Sequence, residues 1–239
     1  MSRRAANPEV ARSLRKAYQM LFAANGHQQW WPGETPFEVC VGAILTQNTA
    51  WSNVERAICN LKQKRVLTPR RMYALPHSEL ADLIRPAGYF NVKATRLRNF
   101  LQTLIVDYGA SIKRLFVGET QAVRSRLLNI NGIGPETADS MLLYAGEHAS
   151  FVIDAYTKRI FQRHNWWHGN QGTKGNSRSE YDSLQALCEG SLNQTRESER
   201  LDYWQDFHAQ LVMIGKDYCR PRNPDCKHCP LAPLLPKSG

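Results

Sequence analysis

Apolar residues recur three or four positions apart along most of this chain, and this spacing places them on one face of an α-helix. The first such segment begins at Pro8 and ends at Gly26, two residue types that favour the start and the C-terminal end of a helix. Its spaced apolar residues are Val10, Leu14, Tyr18 and Leu21. The pattern predicts an amphipathic helix over this segment.

A second segment, Phe37 to Thr46, is apolar on nearly all sides and predicts a helix buried in the centre of a domain. The residues before it form a helix start, because Thr35 suits the N-cap and Pro36 suits the first helical position. Glu38 follows three residues after Thr35 and predicts a capping box.

Further helices are predicted from Trp51 to Leu61 and from Val92 to Tyr108, with short helices between them that end at Pro76 and Pro86. The chain shows no series of alternating apolar and polar runs bounded by turn residues, so the predicted fold class is all-α. The polar, glycine-containing stretch from Trp167 to Glu180 predicts an exposed loop.

The chain has 239 residues, and 31 Lys and Arg against 21 Asp and Glu give it a formal net charge of +10. This basic excess favours a polyanionic partner, with nucleic acid ahead of membrane, although many basic proteins bind neither. No apolar run approaches the roughly 18 residues of a membrane helix, and the N-terminus lacks the apolar segment of a signal peptide. We therefore expect a cytoplasmic protein, nucleoid-associated if bacterial, with no membrane partner.

The most informative segment is a turn between two helical stretches at residues 127–138. Gly132 and Gly134 flank Ile133, and Pro135 begins the next helix. Glycines leave backbone N–H groups accessible, and the helix that follows adds its positive end, which together suit a DNA phosphate. Ile133 is expected to fill the space between the two helices. A plain helix–helix turn is the alternative. The residues predicted to bind DNA here are Asn131, Gly132, Ile133, Gly134 and Thr137.

Asp154 closes the apolar run Phe151 to Ile153, just after this turn. Such a position predicts a half-buried carboxylate with a raised pKa. The same residue type also suits the N-cap of a helix from Ala155 to His164. Both interpretations are compatible with a carboxylate that faces a cleft.

A helix-hairpin-helix, a loop and an Asp at the end of a short apolar run resemble the helix-hairpin-helix DNA glycosylase superfamily that includes endonuclease III. The similarity extends from Pro36 to Cys229. It implies a two-lobed fold, with one helical bundle over residues 36–147 and a second domain formed by residues 1–35 and 148–239. It also implies a monomer that holds duplex DNA containing damaged bases across the cleft between the lobes, with Asp154 at the cleft's mouth.

In that family the residue matching Asp154 is catalytic, because it activates water or stabilises the positive charge on the sugar as the base departs. Family members that also cut the DNA backbone carry a Lys where this chain has Glu136, and Glu cannot form an imine. The resemblance therefore implies a monofunctional glycosylase that releases a base and leaves an abasic site.

Trp30, Trp31 and Pro32 precede the buried helix, and a Leu-Thr-Gln-Asn-Thr run followed by Trp51 comes after it. This combination resembles the 3-methyladenine glycosylase branch. It implies that Trp30, Trp31, Pro32 and Trp51 line a pocket for an alkylated purine, whose positive charge favours stacking on electron-rich rings. It also implies that Gln47 enters the gap left by the flipped base. Ordinary packing of the Trp residues and a buried polar role for Gln47 are the alternatives.

Two other functions stay open at this point. One is a glycosylase of the same class for uracil, mismatched thymine or an oxidised base. The other is a protein that recognises damaged DNA without catalysis.

Cys219, Cys226 and Cys229 reproduce the spacing of the first three ligands of the family's four-iron four-sulfur cluster, but the fourth position is Leu235. Three outcomes are open: a cluster with a non-cysteine fourth ligand, a zinc site that recruits His228, or a loop that has lost its metal.

Overall fold

The computed structural model describes residues 7–31, 33–169, 177–193 and 196–236. Within these ranges the regular structure consists of α-helices and two short 3₁₀ turns, without strands, and the predicted all-α class is confirmed. The 3₁₀ turns are Arg85–Ala87 and Ala232–Leu234. The helices are α1 (Pro8–Asn25), α2 (Pro36–Leu45), α3 (Trp51–Gln63), α4 (Pro69–Ala74), α5 (His77–Leu83), α6 (Phe90–Val106), α7 (Ile112–Leu115), α8 (Thr120–Leu128), α9 (Pro135–Ala145), α10 (Ala155–Arg163), α11 (Ser177–Leu192) and α12 (Glu197–Asp217).

Two local predictions were wrong. The carboxylate of Glu38 lies 2.9 Å from Lys62 Nζ instead of completing a capping box, although Thr35 Oγ1 does accept from the Glu38 amide at 3.2 Å. The predicted loop from Trp167 to Glu180 overlaps α11, which begins at Ser177, and Trp167 is buried. The interior of that predicted loop, residues 170–176, lies outside the described residues.

The chain divides into two compact units. The middle unit is Trp31–His148, and the terminal unit combines Met1–Trp30 with Ala149–Gly239.

The middle unit is built around α2, whose residues from Phe37 to Leu45 are all buried. Helices α6 and α9 pack against α2, and α8 packs against α9. A buried ion pair joins the last two helices: Arg124 Nε and Nη2 donate to the two carboxylate oxygens of Asp139 at 2.8 and 2.9 Å. Asp139 is completely inaccessible, so the hairpin between α8 and α9 has a rigid base.

The terminal unit pairs α10 with α12 and α1 with α11. Helix α12 lies very close to Tyr156 at Gly215, where an added Cβ atom would come within 2.4 Å of the tyrosine ring. Glycine at this position therefore sets the distance between α10 and α12.

One lysine in the middle unit is almost completely buried. Lys93 is 1% exposed, and its Nζ donates to the carbonyl oxygens of Leu45, at the end of α2, and of Ala87, both at 2.8 Å. Burial, and after it the positive charge of Arg96, lower the pKa of Lys93 to about 8. The lysine thus satisfies two carbonyl groups at the cost of holding a charge in the protein interior.

Replacing Lys93 with Met should change how stability depends on pH. The folded protein binds the Lys93 proton more weakly than the unfolded chain, so the stability linked to this group is present above the unfolded pKa near 10.5 and is lost as the pH falls toward 8. Between these values the free energy of unfolding of the wild type, minus that of Lys93→Met, should rise with pH by on the order of 3 kcal/mol. Denaturant unfolding of both proteins from pH 7 to 10.5 measures this difference, and a flat difference would contradict it.

Candidate functional site

The predicted hairpin forms a sharp turn between α8 and α9. Gly132 has a φ of +99°, a conformation that favours glycine, and Gly134 is the N-cap of α9. Ile133 is 5% exposed and belongs to the core of the middle unit, as its place between the two glycines predicts. Glycine thus directly precedes the amino-terminal end of α9. This arrangement suits the binding of an anion.

Side chains from outside the hairpin hold the turn in this shape. Gln47 Nε2 donates to the Gly132 carbonyl at 3.1 Å and to Thr137 Oγ1 at 2.9 Å, and Arg96 donates to the Gln47 side-chain oxygen. On the neighbouring turn of α6, Asn99 Nδ2 donates to the Asn131 carbonyl at 3.0 Å. Through these contacts Gln47 stabilises the hairpin turn. Its insertion into DNA stays a prediction.

A cavity of about 450 Å³ lies beside the hairpin in the middle unit. Trp31, Gln47 and the hairpin glycines contribute to its wall, together with one side chain of each charge, Arg96 and Glu136. Glu136 is in the first turn of α9. The cavity therefore joins the hairpin to one of the predicted pocket aromatics.

The structure brings two of the predicted pocket residues together. The rings of Trp31 and Trp51 meet edge to face, with centroids 5.2 Å apart and an interplanar angle of 85°, and the Tyr144 ring is 5.0 Å from Trp31. Gly42 on α2 faces both indole rings. Because glycine has no side chain, the rings pack close to the helix backbone. Trp30 belongs to the terminal unit, and Pro32 lies outside the described residues.

Asp154 is the N-cap of α10 in the terminal unit. Its Oδ1 accepts from the Thr157 amide at 2.7 Å, and its Oδ2 lies 3.6 Å from His208 Nε2 on α12. Burial favours the neutral acid, but the interactions with His208 and Thr157 outweigh burial and lower the pKa of Asp154. The helix-cap interpretation is confirmed, and the predicted raised pKa was wrong because the pattern of apolar neighbours does not reveal these two partners.

The three cysteines of the predicted cluster line one small space in the terminal unit, next to Leu235. Burial, and after it the neighbouring thiols of Cys219 and Cys226, raise the pKa of Cys229. His228 Nδ1 pairs with Asp225 Oδ1 at 2.8 Å, and among the described residues no three His, Cys, Asp or Glu side chains are arranged to hold a metal ion. These donors do not fit a cluster with four thiolate ligands.

Arginines of α10 hold the cysteine loop through ordinary hydrogen bonds. Arg159 donates to the carbonyl oxygens of Cys219 and Gly215 at 2.5 and 2.9 Å. Arg163 Nη1 donates to Cys219 Sγ at 2.9 Å and to the Arg220 carbonyl at 3.3 Å. The loop that follows α12 is therefore attached to the helix that Asp154 caps.

Sequence analysis missed three residues that contact the predicted site residues: Arg96, Tyr144 and His208. Arg96 lies on α6, Tyr144 on α9 and His208 on α12, and the partner of each is 49 to 113 positions away in the chain. Helical periodicity assigns a residue to a face and does not identify the distant side chain that meets it.

None of the described helices is long and apolar enough to cross a bilayer.

The relation of the chain to known proteins is close over most of its length. A protein of Methanocaldococcus jannaschii, provisionally named a DNA repair glycosylase, is 42% identical over 217 residues, covering 90% of this chain and 92% of that protein.

Solved structures agree with this relation. The H. pylori 3-methyladenine DNA glycosylase bound to 1,N6-ethenoadenine has a TM-score of 0.68 at 28% identity, covering 87% of this chain and 96% of that one. A non-covalent endonuclease III–DNA complex has a TM-score of 0.73 at 19% identity, covering 94% of both chains, and shows the shared fold.

The sequence profile described as "HhH-GPD superfamily base excision DNA repair protein" matches residues 41–184, which is more than half of the chain. Together with the archaeal relative, this match identifies the chain as a member of the HhH-GPD superfamily of base excision DNA repair proteins, a DNA glycosylase by family.

Proposed function

We propose that this protein is a monofunctional DNA N-glycosylase that hydrolyses the bond between deoxyribose and an alkylated purine such as 3-methyladenine. The observation that carries the proposal is the Asp154 carboxylate, which stays ionised in a largely buried position because His208 and the Thr157 amide stabilise its charge. A fixed anion in such a place suits a reaction in which positive charge develops on the substrate.

The proposed reaction is a hydrolysis at the anomeric carbon of the sugar. The bond from C1′ to the base nitrogen breaks, and its electron pair leaves with the base and neutralises the charge of the alkylated ring. Water forms the new bond to C1′ and gives up a proton. Asp154 stabilises the oxocarbenium-like state or accepts that proton, as carboxylates do in glycoside hydrolysis. The products are a free purine and an abasic site.

The aromatic pair Trp31 and Trp51 supports an alkylated purine as the substrate. A base with a positive charge is attracted to the face of an indole ring, and the neutral base gains less from the same contact. The similarity to the H. pylori 3-methyladenine DNA glycosylase supports the same class of substrate.

The hairpin supports DNA binding through the phosphate backbone. The glycines before α9 leave room for a phosphate oxygen, and nothing lies within 4 Å of a Cβ atom added at Gly134. Contacts of this kind position a protein on DNA without reading its sequence. The net charge of +10 supports binding that weakens as salt concentration increases.

Glu136 supports hydrolysis without strand cleavage, because a carboxylate cannot form the imine on which the lyase reaction depends.

Incubation with duplexes that contain methylated purines, uracil, mismatched thymine or an oxidised base should release free alkylated purine. Asp154→Asn should lower the single-turnover rate by about 10²–10³-fold. Chromatography of the released bases measures both. Asp82→Asn, which removes an exposed carboxylate from the middle unit, should react like the wild type.

Release of uracil or an oxidised base alone would overturn the proposed substrate. Full activity of Asp154→Asn would overturn the role of that carboxylate. Tight binding of damaged duplex with no base released would identify a protein that recognises damage without catalysis.

Two alanine variants should separate the shape of the hairpin from its contact with DNA. Gly132→Ala requires φ near +99° and places Cβ 2.3 Å from Arg96 Cγ, so it should destabilise the fold by about 1–2 kcal/mol or more and weaken DNA binding. Gly134→Ala has open space and φ of −91°, so its stability should stay within about 0.5 kcal/mol of the wild type. Thermal unfolding and fluorescence anisotropy with a short duplex measure the two effects. Wild-type stability and affinity in Gly132→Ala would contradict the described turn.

Borohydride added during the reaction should trap no covalent protein–DNA adduct, because the hairpin has no amine at position 136. A bifunctional glycosylase with its own substrate serves as the positive control. A trapped adduct with this protein would show that another amine, for example Lys158, acts as a nucleophile.

A further inference from the structure

Helix α12 carries three buried polar side chains two positions apart: Asp206, His208 and Gln210. The first and third hold the segment that follows α1. Asp206 Oδ1 accepts from the Gln28 amide at 2.7 Å, and Gln210 Nε2 donates to the Gly26 carbonyl at 2.7 Å. Residues two apart on a helix are rotated by about 200°, so His208 points to a different side of α12.

On that side lies α10. His208 and Gly215 are seven positions apart, which is about two helical turns, so they share a face of α12. Gly215 contacts Tyr156 closely, and His208 faces Asp154. Two successive contacts along one face thus fix α10 against α12 around the amino-terminal end of α10.

The two oxygens of Asp154 have different partners. Oδ1 accepts from the Thr157 amide as a helix cap, while Oδ2 lies 3.6 Å from His208 Nε2. The side chains of His208 and Asp154 are 5% and 12% exposed, so little water screens the interaction between them. The distance exceeds that of a hydrogen bond but is within reach of one after a small movement.

Several other charged groups of these helices have partners away from Asp154. On α10, Lys158 lies 3.8 Å from Glu180, and Arg159 donates to the carbonyl oxygens of Cys219 in the cysteine loop and Gly215 in α12. On α12, Asp206 accepts from the Gln28 amide and lies 3.9 Å from His27. The titratable group that faces Asp154 from α12 is His208.

We propose that His208 is a positioning residue for Asp154: its Nε2–H points at Oδ2, fixes the direction of the carboxylate and stabilises its ionised form. This inference rests on the proposed function of Asp154. It gives α12 a part in the proposed reaction that does not require contact with the substrate.

The interaction has a defined chemical effect. Burial alone would favour the neutral acid, which can neither stabilise an oxocarbenium-like state nor accept a proton from water. With the histidine present, the carboxylate stays ionised at lower pH. The histidine also limits rotation of the carboxylate about its bond to Cβ, and orientation of this kind contributes strongly to rate.

Three variants test the proposal. His208→Ala removes the donor, His208→Gln keeps an amide N–H that does not titrate, and Gln210→Ala serves as a matched control because it removes a buried polar side chain of the same helix that faces α1 instead. Thermal unfolding of each establishes that it folds.

The first measurement is the single-turnover rate of base release from pH 5 to 8. We expect His208→Ala to lower the rate by about tenfold or more and to move its acid limb to higher pH, because the pKa of Asp154 rises without the histidine. His208→Gln should recover most of the rate. Affinity for a duplex that contains an uncleavable base analogue should be unchanged, because His208 acts through Asp154.

The second measurement does not depend on activity. Carbon-13 NMR of the side-chain carboxyl of Asp154 in the DNA-free protein should show a higher pKa in His208→Ala than in the wild type or in Gln210→Ala. Asp154→Asn identifies the resonance by its loss.

The outcomes separate the two proposals. If the wild type releases no base but the carboxyl pKa responds to His208, the proposed function fails while the pairing stands. If the wild type is active and Asp154→Asn is not, but His208→Ala keeps both the wild-type rate and the wild-type acid limb, the positioning role is overturned. An unchanged carboxyl pKa in His208→Ala would also overturn it.

Discussion

The buried ion pair between Arg124 and Asp139 is the interaction on which the middle unit depends. Its two hydrogen bonds connect α8 to α9, the helices on either side of the turn at Gly132. A charged pair in the interior is costly to form, and loss of either partner would remove the opposite charge that offsets the burial of the other. The pair therefore ties together the two helices between which the hairpin turn lies. The brace from Gln47 and Arg96 then acts on a turn whose base is already rigid.

Helix α10 is the corresponding element of the terminal unit. Its first turn is capped by Asp154, and its last two turns carry Arg159 and Arg163, which hold the backbone of the cysteine loop. In related proteins this loop is associated with a metal cluster. Here the guanidinium groups of two α10 arginines attach it to that helix through hydrogen bonds to carbonyl oxygens. Asp154 and the cysteine loop are therefore both attached to the same helix, α10.

The parts of this structure that the sequence predicts are those with a local physical cause. The amphipathic spacing of α1, the N-cap at Thr35 and the glycines around Ile133 each act on neighbouring residues, so their patterns are visible in the chain. The direction of the Asp154 pKa and the contact of Arg96 with Gln47 depend on residues brought together by folding. Trp167 illustrates the same limit, since polar and glycine-containing neighbours predicted exposure for a side chain that the fold buries.

The glycine at position 215 has a consequence for how the activity of this protein can vary among related sequences. It packs against the Tyr156 ring and lies two helical turns from His208 on α12. A larger residue there would widen the gap between α10 and α12, and the attraction between an imidazole and a carboxylate falls as their separation grows. The pKa of Asp154 would thus depend on the volume of the residue at position 215. Under the proposed role of Asp154, the volume of residue 215 would shift the pH range in which the carboxylate is ionised, with both polar groups of the pair unchanged.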